Sequence, residues 1–104
     1  MVATIRIDEP SMRSAQCGEQ MANAVLSHLA GGVDVRVDFA AVETMTPSFA
    51  NTFLMLLLET YPIETLRARC DFANRSPHVV RVMNRAVLRF QAGIRLSTHR
   101  VAVA

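Results

Sequence analysis

The chain has 104 residues, enough for one domain with a single modest core. Half of them are hydrophobic (51%), which sets the chain apart from disordered sequences. The longest apolar run, Phe53 to Leu58, is far too short to span a bilayer, and the first twenty residues lack a signal-peptide core. A soluble, cytoplasmic protein with no membrane contact is therefore expected. All eleven basic residues are Arg, and their placement says more than the net charge of +2. Up to Asp71 the chain holds five Arg and all nine acids; beyond it come six Arg and no acid. A basic C-terminal end suits an acidic partner or a phosphate, although charge asymmetry is not specific.

In chain order, Val2 to Ile7 reads as a first strand, closed by Asp8-Glu9-Pro10. Ser11 is placed to cap a helix running to about Ala30, with Ala15, Ala22, Val25, Leu26 and Leu29 on one face. Gly31-Gly32 ends that helix. Val33, Val35 and Val37 then alternate with Asp34, Arg36 and Asp38, the period-2 pattern of a strand. A turn from Phe39 to Met45 leads to Thr46-Pro47, an N-cap followed by the residue best suited to a first helical position. The helix they open is apolar almost all round from Phe49 to Leu58, so it has to be buried on more than one side. Tyr61-Pro62 stops it.

Leu66 to Phe72 alternates as a third strand near a sheet edge, with Leu66, Ala68, Cys70 and Phe72 facing one way. Asn74-Arg75-Ser76-Pro77 turns the chain, Ser76 serving as cap, into a helix with Val79, Val82, Met83, Ala86, Val87 and Phe90 on its apolar face. Gly93 is expected to end it, leaving 94–104 as an edge strand or a loose tail. The order is β-α-β-α-β-α. It implies one α/β domain over 1–104, a small sheet of three or four strands, mainly parallel or mixed, packed against about three helices. Cys17 and Cys70 lack CxxC spacing and read as reduced, buried residues.

Catalytic signals are missing. His28, His78 and His99 form no metal-spaced pair, and no GxGxxG, Walker loop or G-x-S-x-G is present. No catalytic residue, metal ligand or cofactor is assigned. Asp38 stands at the C-terminal end of its strand, where ligands gather in open α/β sheets, but one acid makes no catalytic pair. Thr46, Ser48 and Asn51 are polar side chains at the mouth of a helix that is otherwise core. A plain reading makes them a cap, a first-turn residue and a gap filler. A functional one uses the positive end of the helix to receive a phosphate on or near Ser48. Arg81, Arg85 and Arg89, with His78 before them, form a basic stripe on the last helix, either a solvated face or a contact for an acidic partner. The stripe lacks interleaved aromatics, so nucleic acid is not the expected partner.

The run V-D-F-A-A-V-E-T-M-T-P-S-F-A-N-T-F, Val37 to Phe53, resembles the signature of the STAS-like domains of bacteria. Asp38, Phe39, Val42, Thr46, Ser48, Phe49, Ala50 and Asn51 stand where that pattern expects them, and Asn74 resembles the Asn that precedes the last helix of the family. The resemblance covers about residues 11–92. It implies the fold of the anti-sigma-factor antagonists, whose strand-to-helix turn is phosphorylated by a partner kinase with a GHKL-type ATP site. It puts Ser48 at the phosphoacceptor position, Thr46 where the antagonists carry Asp, and Phe49 where they carry Gly. The expected function is then a non-catalytic, regulatory protein–protein interaction module. It would dock a protein partner, such as a GHKL-type ATPase, through Thr46, Ser48, Asn51, Asp38 and Asn74. Two alternatives stand beside it. One is binding of a nucleotide or other small anion at the same helix N-terminus with help from Arg75. The other is a phage or mobile-element protein directed at a host target through Arg81, Arg85 and Arg89. A homodimer would use the edge of the third strand or the apolar tail Val101 to Ala104.

Overall fold

A computed structural model describes residues 2–7 and 11–103, with side chains placed for 2–7 and 13–93. Three strands, β1 (Val2–Arg6), β3 (Asp34–Asp38) and β5 (Cys70–Ala73), form a sheet in the order β1-β3-β5 with both ladders parallel. Ala3 stands opposite Val35 and Val37 opposite Phe72, so the valines of β3 fall on one face. Two very short strands, β2 (Ser11–Met12) and β4 (Thr44–Met45), make a second parallel ladder. Four helices complete the fold: α1 (Ala15–Ala30), α2 (Pro47–Thr60), α3 (Ile63–Arg69) and α4 (Pro77–Val103).

The sheet steps in one direction across its three strands, so two crossovers of the same hand leave their helices on the same face. The burial pattern agrees. Val35 and Val37 are buried under the helices, while Arg36 between them is exposed on the far side. That far face, unusual for an all-parallel sheet, is lined with charge that pairs within itself. Arg36 bonds Asp71 at 3.1 Å, and Arg6 lies 3.8 Å from Asp38. At the N-terminal ends of the strands, Arg69 bonds both Asp34 (3.0 Å) and the Leu29 carbonyl (3.2 Å), tying β5 to β3 and to the end of α1.

Helix α2 runs through the centre, packed by α1, α3 and α4. Its all-round apolar sequence is explained by this position: Phe49, Ala50, Phe53, Leu54 and Leu57 are buried. Phe53 stacks on Phe49 (5.7 Å between centroids) and tilts against Phe72 (5.8 Å), which meets Phe39 edge-on (6.0 Å). Each such ring buries a large apolar area, and the four join helix, sheet and turn into one core. Among α1 residues, Gly18, Ala22, Val25 and Leu29 are buried. Small Gly18 and Ala22 let α1 lie close on α2.

Several boundaries differ from the expectations. Ser11 does not cap α1, because the β2–β4 ladder holds Ser11 and Met12 extended; Ser14 is the N-cap instead, accepting from the Cys17 N–H at 3.1 Å. Leu66 to Arg69 is helical, and the strand begins only at Cys70. Leu and Arg are good helix formers, and Glu64 in the first turn with Arg67 and Arg69 in the last suits the helix dipole. The apparent alternation of Leu66, Ala68 and Cys70 therefore spans two elements. Gly93 does not end α4, whose backbone stays helical to Val103 in place of an edge strand. A single Gly costs a helix only about 1 kcal/mol, and no Pro follows it. The closing segment Asp8-Glu9-Pro10 lies outside the described residues, and the pairing surface Val101 to Ala104 lies outside those with described side chains. Both cysteines are free, Cys70 buried and Cys17 half-buried. Among the described residues no helix is long and apolar enough to cross a membrane.

Candidate functional site

The mouth of α2 is built by three neighbouring segments. Met45, at the end of β4, is buried and held in register with Met12. Its N–H donates to Nε2 of His78 at 3.2 Å, which fixes β4 against the start of α4. Thr46 then caps α2: its Oγ1 accepts from the Phe49 N–H at 3.3 Å and donates to the Arg13 carbonyl at 2.7 Å. One hydroxyl thus ties the approach to α1 to the N-terminus of α2. Pro47 supplies the first helical residue.

Within the first turn the side chains divide cleanly. Phe49 and Ala50 point into the core, whereas Ser48 is exposed and Asn51 half-buried. Neither the Ser48 hydroxyl nor the Asn51 amide bonds another described residue. The backbone beneath them is fixed, because Gly18 of α1 sits directly against it. A Cβ added at Gly18 would lie 2.7 Å from the Phe49 carbonyl oxygen and 3.2 Å from the Phe53 nitrogen. This mouth therefore presents an unengaged hydroxyl and the positive end of a 14-residue helix on a rigid base.

Asp38 and Asn74 come together in a separate cluster at the C-terminal ends of β3 and β5. Asp38 Oδ1 accepts from the Ala40 N–H at 2.9 Å and from Asn74 Nδ2 at 3.1 Å. Asn74 holds a left-handed backbone (φ 60°), a conformation Asn tolerates better than most residues. The Asn74 amide, then the Ala40 N–H, hold the Asp38 carboxyl below its ordinary range, with the charges of Arg6 and Arg36 adding to them against the cost of burial. Both residues thus fasten the β3 and β5 ends together, a structural task their sequence positions do not reveal.

The basic residues also separate. Arg81, Arg85 and Arg89 are exposed along α4, and among the described residues none of them forms an ion pair. His78 leaves the stripe: it is half-buried and turned to Met45, as an acceptor that imidazole offers only at an unprotonated nitrogen. Arg75 is laid across the Phe72 ring, 5.8 Å from its centroid, and reaches toward the Met83 sulfur. Among the described residues no three His, Cys, Asp or Glu side chains gather as metal ligands would. Sequence reasoning missed Gly18, His78 as a brace and Arg13 beside the mouth. An isolated Gly inside a helical pattern was the one available signal.

A family model described as "STAS-like domain of unknown function (DUF4325)" matches residues 18–80, well over half of the chain. The chain belongs to the STAS-like domain family. No curated protein and no solved structure matches it. The matched stretch of this STAS-like domain runs from Gly18, the contact point on α2, through the α2 mouth and the Asp38–Asn74 fastening. It stops one residue before Arg81, so the basic stripe lies outside the part of the chain that the family model matches.

Proposed function

We propose that this STAS-like domain is a non-catalytic, regulatory interaction module that docks a protein partner through the mouth of α2. One observation carries the reading. Thr46 already serves as the cap, so Ser48 is left exposed in the first turn with no structural work, on a backbone that the Gly18 contact holds still. Thr46 alone makes the two bonds of the cap, so Ser48 is a first-turn residue whose hydroxyl is open to a partner. A phosphate on Ser48 would sit at the N-terminal end of α2, where the helix dipole favours negative charge. Arg13, exposed and bonded through its carbonyl to Thr46, adds a basic residue beside the mouth. The regulator would then be a kinase-type ATPase partner, as in the antagonists that the family resembles. Asn51, one turn into the helix, supplies a donor and an acceptor for the same contact.

Asp38 and Asn74 enter this proposal as supports. Their bond holds the end of β3, from which the turn toward the mouth departs, to the turn that follows β5. Small-anion binding at the mouth with help from Arg75 is less favoured, because that guanidinium lies over the Phe72 ring and lines a groove to which the first turn of α2 contributes no residue. The test is a pull-down from the native host with wild type, Ser48→Asp and Asn51→Ala, each checked for folding by circular dichroism. A partner retained by wild type and lost by the Ser48 variant supports the reading. Partners held equally by all three proteins would sink it.

A further inference from the structure

A groove of about 630 Å³ opens on the opposite half of α2, away from Ser48. Leu54 and Leu58 of α2 form its floor, Leu66 and Arg67 of α3 one wall, and Val87 and Leu88 of α4 the other. Three consecutive β5 residues, Cys70, Asp71 and Phe72, also line it. Alternate side chains of a strand point to opposite faces, so a groove that touches three in a row meets the strand at its edge.

That edge has hydrogen-bonding groups to offer. Phe39 donates to the Ala73 carbonyl at 2.9 Å, so Ala73, and by alternation Asp71, direct their backbone groups toward β3. Cys70 and Phe72 therefore direct theirs outward. The Cys70 N–H is used by the Leu66 carbonyl at the end of α3. Among the described residues nothing pairs with the Cys70 carbonyl or with either backbone group of Phe72, which leaves them to an added strand. Beside them stands Leu88, 64% exposed, an apolar side chain on the groove wall.

Charge selects the occupant. Asp71 is neutralised by Arg36 across the sheet, which leaves Arg67 and Arg75 as the uncompensated charges of the lining. The α4 wall contributes no acid, since none follows Asp71 in the sequence. Two copies joined edge to edge would bring these arginines together, which disfavours a second copy of this chain. We infer that the groove binds an extended segment of a protein partner in which acidic and apolar residues alternate, added as a strand beside β5 with its apolar side chains on Leu54, Leu58 and Leu88. This surface is separate from the α2 mouth and does not depend on the function assigned there.

The test uses the full chain and two pools of short fluorescent peptides, in which apolar residues alternate with Asp and Glu or with Lys and Arg, read by fluorescence polarisation. The acidic pool is expected to bind saturably, and the basic pool roughly tenfold more weakly or worse. N-methylation of alternate peptide nitrogens should abolish binding, because it removes the strand-pairing donors. Arg67→Glu and Leu88→Glu, both at exposed positions, should each weaken the acidic pool by roughly tenfold, with Ser48→Asp binding as wild type. Equal binding of both pools, binding of neither, indifference to N-methylation, or wild-type affinity in Leu88→Glu overturns the inference. So does a wild-type dimer in sedimentation that Leu88→Glu dissolves and that takes up no peptide.

Discussion

Gly18→Ala separates two opposing effects at the base of the proposed docking site. On helix propensity alone, Ala in the middle of α1 should gain about 1 kcal/mol. The packing says otherwise. The new methyl carbon would stand 2.7 Å from the Phe49 carbonyl oxygen, 3.2 Å from the Phe53 nitrogen and 3.3 Å from the Thr52 Cβ. The first two are backbone atoms of a helix that is itself buried, so no side chain can swing aside. Overpacking of this kind costs about 1–3 kcal/mol, and a contact with backbone belongs at the upper end. The expected balance is a loss of roughly 1–2 kcal/mol, or about 5–10 °C in Tm for a domain of this size. Thermal and urea unfolding followed by far-ultraviolet circular dichroism measure it. Gly93→Ala is the control, since an added Cβ there meets nothing within 4 Å and α4 should gain up to about 1 kcal/mol. A Gly18→Ala protein as stable as Gly93→Ala would refute the close approach of α1 to α2.

Thr46→Ala should cost about 1–2 kcal/mol, because it removes the α2 cap and the bond to Arg13 together, and Thr46→Ser should recover most of it. His78→Ala leaves the Met45 N–H without its acceptor and should lower stability by about 1–3 kcal/mol in urea titrations. Asp38 has a carboxyl held below its ordinary value of 3.8, so its contribution to stability is fully present above that pH and fades as pH falls through the lower folded value. Asn74→Gly keeps the left-handed backbone but removes the largest cause of the shift. Its urea midpoint should therefore depend less on pH than wild type on the acid side, while Asn74→Ala adds about 1–2 kcal/mol of backbone strain. Burial pushes the Cys70 thiol up, so alkylation near neutral pH, followed by mass spectrometry, should label it slowly until the protein is unfolded.

The parts of this fold legible in the sequence are those governed by local chemistry. Thr46-Pro47 marks the start of α2 because an N-cap hydroxyl and a missing N–H act within one turn. Val33 to Asp38 shows a strand because a half-buried sheet enforces period 2. Ser76-Pro77 opens α4 for the same local reason as Thr46-Pro47, and the Val79 N–H donates to the Ser76 Oγ at 3.2 Å. The errors lie where a distant partner decides. Ser11 has the chemistry of a cap, yet its backbone is taken by β4, more than thirty residues away. His78 sits in step with Arg81, Arg85 and Arg89, yet the Met45 N–H turns it inward. The bond from Asn74 to Asp38 is likewise a long-range one, and nothing in the local sequence around either residue announces it.

The positions of the two proposed surfaces follow from how charge is arranged over the rest of the molecule. A parallel sheet with helices on one face leaves the other to water, and a bare face would be the first place to seek a partner. Here its charges are engaged: Arg36 with Asp71, Arg6 near Asp38, and Arg69 with Asp34 at the strand ends. Such exposed pairs add little stability, but they leave the face with few charges free to attract a ligand. At the α2 mouth, by contrast, a helix end faces outward with an unengaged Ser48. At the β5 edge, backbone groups, an exposed Leu88 and uncompensated Arg67 and Arg75 coincide. The buried helix α2 reaches both surfaces, presenting Ser48 from its first turn and Leu54 and Leu58 from its later ones. A partner that engaged the mouth with one segment and the β5 edge with another would gain avidity from two contacts, each weak alone.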